Sequence, residues 1–281
     1  MYPHLFAKLF ASPLMLHGPV RQSFENALLS RMGIIAAHRP ASSMEDSRLG
    51  DMADMRVSRI AEHIGNVAHI RIHGVIDKVL TMGEMECYGG VDLQDVDRAL
   101  ATAAADPRIT HVVLDIHSPG GSVIGVAETA ARIAALRQTH EVHAYISGMA
   151  CSAGYYLASQ ADVIAAGPSA VVGSIGVYIA VLDASRWYEK EGYEMQVLKA
   201  GDYKTMGAEW RPLTESEREY LQASVDRSYE AFRAAVTALR PVADSTMQGQ
   251  WMDAATGHAQ HLVDVLTGDT PDEYVASLIH G

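Results

Sequence analysis

Two short segments carry the residue types that nucleophilic catalysis needs. Residues 118–121 read Ser-Pro-Gly-Gly and follow a run of β-branched residues, and residues 147–154 place small residues around Ser152. Adjacent glycines let the backbone approach a ligand closely and direct their N–H groups at a developing negative charge. The strand-loop-helix context therefore favours Gly120 and Gly121 as oxyanion donors over a turn that merely needs glycine, and it favours Ser152 as an attacking hydroxyl.

Ser152 is the candidate nucleophile for two reasons. Its small neighbours leave room for a substrate backbone, and the dipole of the helix expected behind it favours an oxyanion. Two other interpretations stay open at this point. Ser152 also suits an ordinary helix N-cap, a role that Ser147 could fill as well. Cys151 is a rival nucleophile, although no histidine partner for it is evident downstream.

An attacking serine needs a base, and histidine is the usual one. No histidine occurs between His143 and His258, so a Ser-His-Asp arrangement has no supported partner. Lys204 lies in a turn after an expected strand, and Lys199 lies at the end of that strand. A lysine acts as a base only if burial or neighbouring charges lower its pKa toward neutrality, and surface lysines are far commoner. From these residues alone, Lys204 is one candidate base.

Strands and helices are expected to alternate along most of the chain. Such alternation predicts an α/β fold with parallel strands under covering helices, in which functional loops collect at the carboxyl ends of the strands. The expected strands span residues 67–73, 111–116, 142–146, 162–166 and 195–198. The expected helices span residues 91–105, 123–136, 152–159 and 215–239, the last with Thr214 as cap and Glu217 in a capping box.

The first sixty residues are expected to form a helical extension and a linker. Residues 5–16 suit an amphipathic helix, residues 22–32 have helical spacing, and residues 39–55 show no clean period. The run at 5–16 lacks a small-residue cleavage site, which argues against a signal peptide. No stretch reaches the ~18 consecutive apolar residues of a transmembrane helix, so no membrane span is expected.

The composition argues against several classes of function. The chain has 281 residues, 48% of them hydrophobic, and a formal net charge of −12, whereas a nucleic-acid binder needs a basic face. Its two cysteines cannot make a disulfide framework or a four-cysteine zinc site, and the histidines lack a metal-binding spacing. We therefore expect neither metal nor cofactor, and the few cysteines suit a reducing cytoplasm.

Five segments in order resemble the motifs of the signal peptide peptidase A family, the S49 serine peptidases. They are residues 115–121, 147–154, 173–177, 201–204 and 262–264.

The resemblance covers roughly residues 66–266, and residues 4–16 resemble the bacteriophage branch, whose members process capsid and scaffold proteins during head maturation. Two features depart from the family: His261 stands where glycine commonly precedes Leu-Val-Asp, and the membrane anchor of many signal peptide peptidases is not evident.

The resemblance implies a site, a fold and an assembly. The implied site residues are the nucleophile Ser152, the general base Lys204, Ser174 as the serine that hydrogen-bonds the lysine, and the amides of Gly120, Gly121 and Ala153 as oxyanion donors. The implied fold is that of the Clp protease and crotonase superfamily, built of repeated strand-strand-helix units, with residues 1–60 as extension and linker and 61–281 as the peptidase domain. Relatives form rings in which the serine and the lysine can come from neighbouring protomers, so a homo-oligomer is expected.

The expected function is that of a serine endopeptidase that hydrolyses peptide bonds through an acyl-enzyme. Its expected substrates are phage capsid or scaffold proteins, in the host cytoplasm or within a procapsid. Three alternatives stay open: a peptidase that degrades signal or membrane peptides, a crotonase-type acyl-CoA enzyme that holds an enolate with similar glycine amides, and an inactive scaffold component of a phage head. The sequence ends soon after Asp264, so a long C-terminal scaffold extension is not expected.

Overall fold

The fold is built from short strands and helices that alternate along the chain. The computed structural model describes residues 14–16, 47–80, 85 and 89–279. The strands are β1 (Leu14–Leu16), β2 (Ala61–Ile64), β3 (Val67–His73), β4 (Ile76–Asp77), β5 (Val91–Asp92), β6 (His111–Ser118), β7 (Gly120–Ser122), β8 (Glu141–Cys151), β9 (Val163–Ala166), β10 (Val171–Gly173), β11 (Trp251–Asp253) and β12 (Val265–Leu266). The α-helices are α1 (Ser47–Ile60), α2 (Leu93–Ala105), α3 (Val126–Leu136), α4 (Ala153–Ala158), α5 (Ser185–Lys190), α6 (Glu215–Thr237), α7 (Ala254–Ala259) and α8 (Pro271–Ile279). Short 3-10 helices lie at Asp202–Thr205 and Asp244–Thr246.

The larger sheet has a parallel centre. Its strand order is β11-β10-β8-β6-β3-β2, and β9 pairs with the first part of β8. The central strands β3, β6 and β8 are all parallel. Parallel strands need cover on both faces. Helices α2, α3 and α4 pack with one face in a single large core, and α8 covers part of the other face through Tyr274 and Val275. The predicted α/β fold class is therefore confirmed.

A second, smaller sheet contains the glycine pair. Its strand order is β1-β7-β4-β5. Strand β7 pairs in parallel with β4 at Ile76 and antiparallel with β1. The segment that the sequence indicated as a loop leading straight into a helix is thus itself a short strand, and α3 begins only at Val126.

The helix boundaries follow local signals. Helix α2 begins after Asp92, whose side chain accepts a hydrogen bond from the Gln94 N–H, and it ends at Asp106. At the start of α6, the Thr214 hydroxyl accepts from the Glu217 N–H and the Glu217 carboxylate accepts from the Thr214 N–H. The predicted capping box is therefore confirmed.

Two expectations for the N-terminal region are wrong for the residues that the structure describes. Residues 14–16 form a strand rather than the end of an amphipathic helix, because they pair with β7. Helix α1 begins at Ser47, inside the segment interpreted as a linker, and its partly buried Val57 packs on the main core. Residues 5–13, 22–32 and 39–46 lie outside the described residues.

The strand expected at residues 195–198 is also wrong. These residues pair with no strand in the described part of the chain, and Leu198 is fully exposed. The alternating pattern suits a strand only where a sheet edge is available.

Within the described residues, no helix combines the length and apolar character needed to cross a bilayer.

Candidate active site

A bulge in β8 brings the chain to Ser152. Ile116 of β6 pairs with Ile146 of β8, but Ser118 pairs with Ala150, so three residues of β8 lie opposite the single residue between them. Bulges of this kind bend a strand and redirect the residues that follow it. Strand β8 then continues beside β10 as far as Cys151, and helix α4 starts immediately after Ser152. The expected loop at 147–154 is therefore mostly a bulged strand.

Ser152 has a backbone conformation that few residues other than glycine adopt. Its φ is 54° and its ψ is −118°. Such strain costs on the order of 1–3 kcal/mol and is concentrated at functional sites, and a strained turn between strand and helix is how the nucleophile of α/β hydrolases is exposed. The turn is held by the Ser152 N–H, which donates to the Gly173 carbonyl at 2.8 Å, and by the Ser152 carbonyl, which accepts from the Tyr156 N–H at 2.8 Å.

Both rival interpretations of this turn lose support. The Ser152 side chain makes no capping hydrogen bond to α4, and its Oγ instead lies 3.5 Å from the Gly176 carbonyl oxygen. Ser147 lies in β8 and therefore caps no helix. Cys151 is fully buried, and burial raises the pKa of its thiol to about 12. A thiol that stays protonated at neutral pH is a poor nucleophile.

The glycine pair lies next to this turn. A Cβ at Gly154 would be 3.1 Å from the Ser118 carbonyl oxygen, so the start of α4 is in close contact with the residue that precedes the pair. Gly120 has a φ of 103°, which favours glycine, and a Cβ at Gly121 would lie 1.8 Å from the Ile76 carbonyl oxygen. Only glycine fits at either position.

The amides near Ser152 differ in their availability. The Gly120 N–H already donates to the Ser118 Oγ at 3.1 Å, and that hydroxyl donates to the Gly74 carbonyl at 2.7 Å. Gly120 therefore serves to hold the loop. The Ala153 N–H is at the first position of α4, where backbone donors have no partner within the helix. Of these two amides, only that of Ala153 lacks a partner within its own element.

Ser174 lies beside the same turn. It follows Gly173, whose carbonyl binds the Ser152 N–H, and its own N–H donates to the Gln250 carbonyl at 2.7 Å. Ser174 also has a positive φ, 54°, and its side chain is buried. The fold thus brings Ser152 and Ser174 together.

Among the described residues, no hydrogen bond joins Lys204 to Ser152. Lys204 lies in the exposed 3-10 helix Asp202–Thr205, and its ammonium group makes no hydrogen bond or ion pair with any described residue. The other candidate, Lys199, donates to the Asp202 carbonyl at 2.7 Å and so stabilises this turn.

The segment that carries Lys204 is anchored by a side chain that the sequence did not single out. Arg211 donates to the Thr205 carbonyl at 2.8 Å and to the Glu217 carboxylate at 2.8 Å. Arg211 is the first cause of the lowered pKa of Glu217, which falls to about 2. Only the capping-box pattern at Glu217 gave a sequence signal for this anchor.

A cluster of histidines around Asp115 lies on the opposite face of the large sheet. His73 Nε2 is 3.0 Å from the Asp115 carboxylate, and His69 Nε2 is 3.6 Å from it. Burial raises the pKa of Asp115, but contacts with the two histidines and Ser147 outweigh it and hold that pKa below its ordinary value. Because side chains alternate along a strand, Asp115 points away from the face that buries Ser118. This cluster does not supply a base to Ser152, and the described residues include no group arranged to hold a metal ion.

Comparison with known proteins finds relatives in two phages and in a plant. The chain is 29% identical over 248 residues to capsid assembly protease C of Escherichia phage lambda, covering 84% of this chain and 56% of that protein. It is 27% identical to the head-tail preconnector protein GP5 of Enterobacteria phage P21, covering 90% of this chain and 50% of that protein, and 30% identical to the chloroplastic serine protease SPPA of Arabidopsis thaliana, covering 72% and 30%. The chain thus spans about half the length of the phage relatives.

Among solved structures, methylmalonyl CoA decarboxylase matches with a TM-score of 0.43 and 11% identity, over 78% of this chain and 73% of that one. The model of peptidase family S49 matches residues 134–276, just over half of the chain. That match includes Ser152, Ser174 and Lys204, and on its extent the chain belongs to peptidase family S49.

Proposed function

We propose that this protein is a serine endopeptidase in which Ser152 attacks the peptide carbonyl and Lys204 is the general base. The observation that carries the proposal is the strained backbone of Ser152, at a strand-to-helix turn that lies against the glycine pair in a chain of family S49. Neither an N-cap nor a packing role for Ser152 needs this conformation.

The chemistry is acyl transfer through a covalent intermediate. Neutral lysine takes the proton of the Ser152 hydroxyl as its Oγ bonds to the carbonyl carbon, and the amides of Gly121 and Ala153 stabilise the oxyanion. The protonated lysine then gives its proton to the leaving amine, the C–N bond breaks, and water hydrolyses the ester. In this proposal Ser174 accepts a hydrogen bond from the lysine and so positions it.

We propose further that the lysine comes from a neighbouring copy of the chain. Lys204 is exposed and without a partner among the described residues, whereas a lysine base needs burial to lower its pKa. The surrounding segment exposes large apolar side chains, with Leu198 fully exposed and Trp187 and Tyr193 more than half exposed. Exposed apolar surface of this kind is typical of an interface. Packing against another protomer would bury Lys204 and complete the site.

The printed names of the phage relatives suggest the class of substrate. One is a capsid assembly protease and another a head-tail preconnector protein. We propose capsid or scaffold proteins as substrates, cleaved in the host cytoplasm or inside a procapsid. Degradation of signal or membrane peptides is the second candidate, favoured by the resemblance of the five sequence motifs to those of the signal peptide peptidase A family.

The test is a digest of a protein substrate, with the product termini identified by mass spectrometry. We expect Ser152→Ala and Lys204→Ala each to lower kcat by a factor of about 10³ or more, because members of a catalytic unit act together. Lys199→Ala is the matched control and should retain most activity, since Lys199 only stabilises the turn. Full activity of Lys204→Ala would reject the dyad.

A fluorophosphonate probe separates the remaining alternatives. Labelling of the unmodified chain but not of Ser152→Ala is expected for a serine peptidase. A crotonase-type enzyme or an inactive scaffold component would show no labelling at Ser152.

A further inference from the structure

Strand β1 occupies one edge of the strand that contains the glycine pair. Leu14, Met15 and Leu16 pair antiparallel with Ser122, Gly121 and Gly120. The other edge of β7 is taken by β4. A strand has only two hydrogen-bonding edges, so β1 holds the only edge of β7 at which another extended segment could add.

The direction of β1 relates it to the chemistry. Ser118, two residues before the start of β7, pairs with Ala150 and lies close to Gly154, so Ser152 is at the Gly120 end of β7. Leu16 is opposite Gly120 and Leu14 is opposite Ser122. The chain in β1 therefore runs with its carboxyl end toward Ser152. If the scissile carbonyl of a substrate entered an oxyanion site beside Gly121, the part of the peptide on the N-terminal side of that carbonyl would lie along β7, where β1 lies.

We propose that Leu14–Leu16 is an intramolecular peptide ligand that holds the acyl side of the substrate cleft, so that a substrate must displace it before cleavage. The proposal rests on the proposed function for the location of the cleft. The pairing involves three residues, and each backbone hydrogen bond contributes a net ~0.5–1.5 kcal/mol. An incoming peptide strand can replace those hydrogen bonds one for one.

The pairing sets a quantitative expectation. A ligand that binds only when the edge of β7 is free has an apparent affinity equal to its intrinsic affinity multiplied by the fraction of molecules in which that edge is free. If β1 is docked about 90% of the time, its release should tighten peptide binding about tenfold.

The test measures binding without turnover. The full chain carries Ser152→Ala, and the probe is a fluorescently labelled peptide of residues 11–19, followed by fluorescence anisotropy. Met15→Pro and Leu16→Pro are compared, because proline removes the N–H and only alternate residues of a strand donate toward one neighbour. Met15→Ala is the matched control that retains the N–H.

We expect at least one proline variant to bind the peptide about tenfold more tightly than the Met15→Ala control does. Equal affinity in all the variants, or no binding of the peptide to any of them, would overturn the proposal. Such a result would leave the proposed function intact, because hydrolysis by the chain with Ser152 present is measured separately.

A measurement on the chain with unaltered N-terminal residues covers the case in which a proline variant fails to fold. Hydrogen exchange at residues 14–16 is followed in the Ser152→Ala chain with and without saturating unlabelled peptide. Faster exchange with the peptide is expected, since β1 leaves its edge. Unchanged exchange would contradict displacement.

Discussion

At the scale of single residues, the informative feature is backbone geometry. Ser152, Ser174 and His261 all have positive φ angles without being glycine. For His261 the angle is 63°, at a position where the family resemblance leads one to expect glycine. The backbone of His261 therefore has a conformation that glycine adopts freely but that is strained for histidine.

The strain at Ser152 predicts an unusual order of stability between two variants that both lack the hydroxyl. Alanine is ordinarily more stable than glycine by about 0.4–1 kcal/mol, because glycine has more freedom in the unfolded chain. At φ 54°, glycine escapes the strain, so we expect Ser152→Gly to be more stable than Ser152→Ala by about 1 kcal/mol in urea unfolding.

The matched control is Ser159, at the end of α4, where φ is −61°. There the ordinary order is expected, with Ser159→Ala more stable than Ser159→Gly. The same order at both positions would show that Ser152 is not strained.

At the scale of elements, side chains join the catalytic segments to the scaffold. Asp264, in the last family motif, accepts hydrogen bonds from the Ile164 N–H at 2.7 Å and from the buried Arg240 at 2.6 Å. Leu262 accepts at its carbonyl from the Tyr155 hydroxyl at 3.0 Å. The Leu-Val-Asp motif thus holds α4 and β9 in place, and its role is structural rather than chemical.

The contact of Arg211 with Glu217 predicts a pH-dependent contribution to stability. The pKa of Glu217 falls from 4.5 to about 2 in the folded chain, chiefly because of Arg211. A lowered carboxyl pKa means that this contribution is present above pH 4.5 and is lost as the pH falls toward 2. We expect Glu217→Gln to lower Tm at pH 7 by roughly 2–4 °C, the shift that about 1 kcal/mol gives in a domain of this size.

Thermal unfolding at pH 7 and near pH 2 checks this expectation. The difference in Tm from the unmodified chain should shrink as the pH falls toward 2, where Glu217 begins to take up a proton in the folded chain. Glu215→Gln is the control, because Glu215 is exposed in the same helical turn and does not contact Arg211. A difference in Tm that stays constant with pH would mean that the charge of Glu217 contributes nothing to stability.

At the scale of the whole molecule, the proposal that an exposed Lys204 serves a neighbouring copy predicts complementation between inactive variants. If each site takes its lysine from a neighbouring copy, mixed assemblies of Ser152→Ala and Lys204→Ala chains contain some sites in which both groups are intact. Random mixing of equal amounts gives about a quarter of the sites of the unmodified assembly. We therefore expect about a quarter of its activity after the two variants are co-refolded.

The control replaces one component with the double variant Ser152→Ala and Lys204→Ala, which cannot complement Ser152→Ala. If the dyad closes within one chain, the mixture of single variants will be as inactive as its components. Sedimentation of the unmodified chain should show an oligomer, and an active monomer would contradict the shared site.

Local sequence signals were enough to predict the features that depend on near neighbours. The capping box at Thr214, the end of α2 at Asp106 and the β-branched strands follow from local hydrogen bonding and periodicity. The family motifs likewise identified Ser152, Ser174 and the glycine pair before any contact was known. Their assignment to a catalytic site remains a prediction.

Features that depend on residues far apart in the chain could be recognised only in the folded molecule. These are the bulge that carries β8 to Ser152, the left-handed turn held by Gly173, the exposed position of Lys204, and the pairing of Leu14–Leu16 with β7. All four were missing from the sequence prediction for the same physical cause. A hydrogen bond between distant segments leaves no period in the sequence, and the burial that distinguishes one apolar segment from another exists only after the chain has folded.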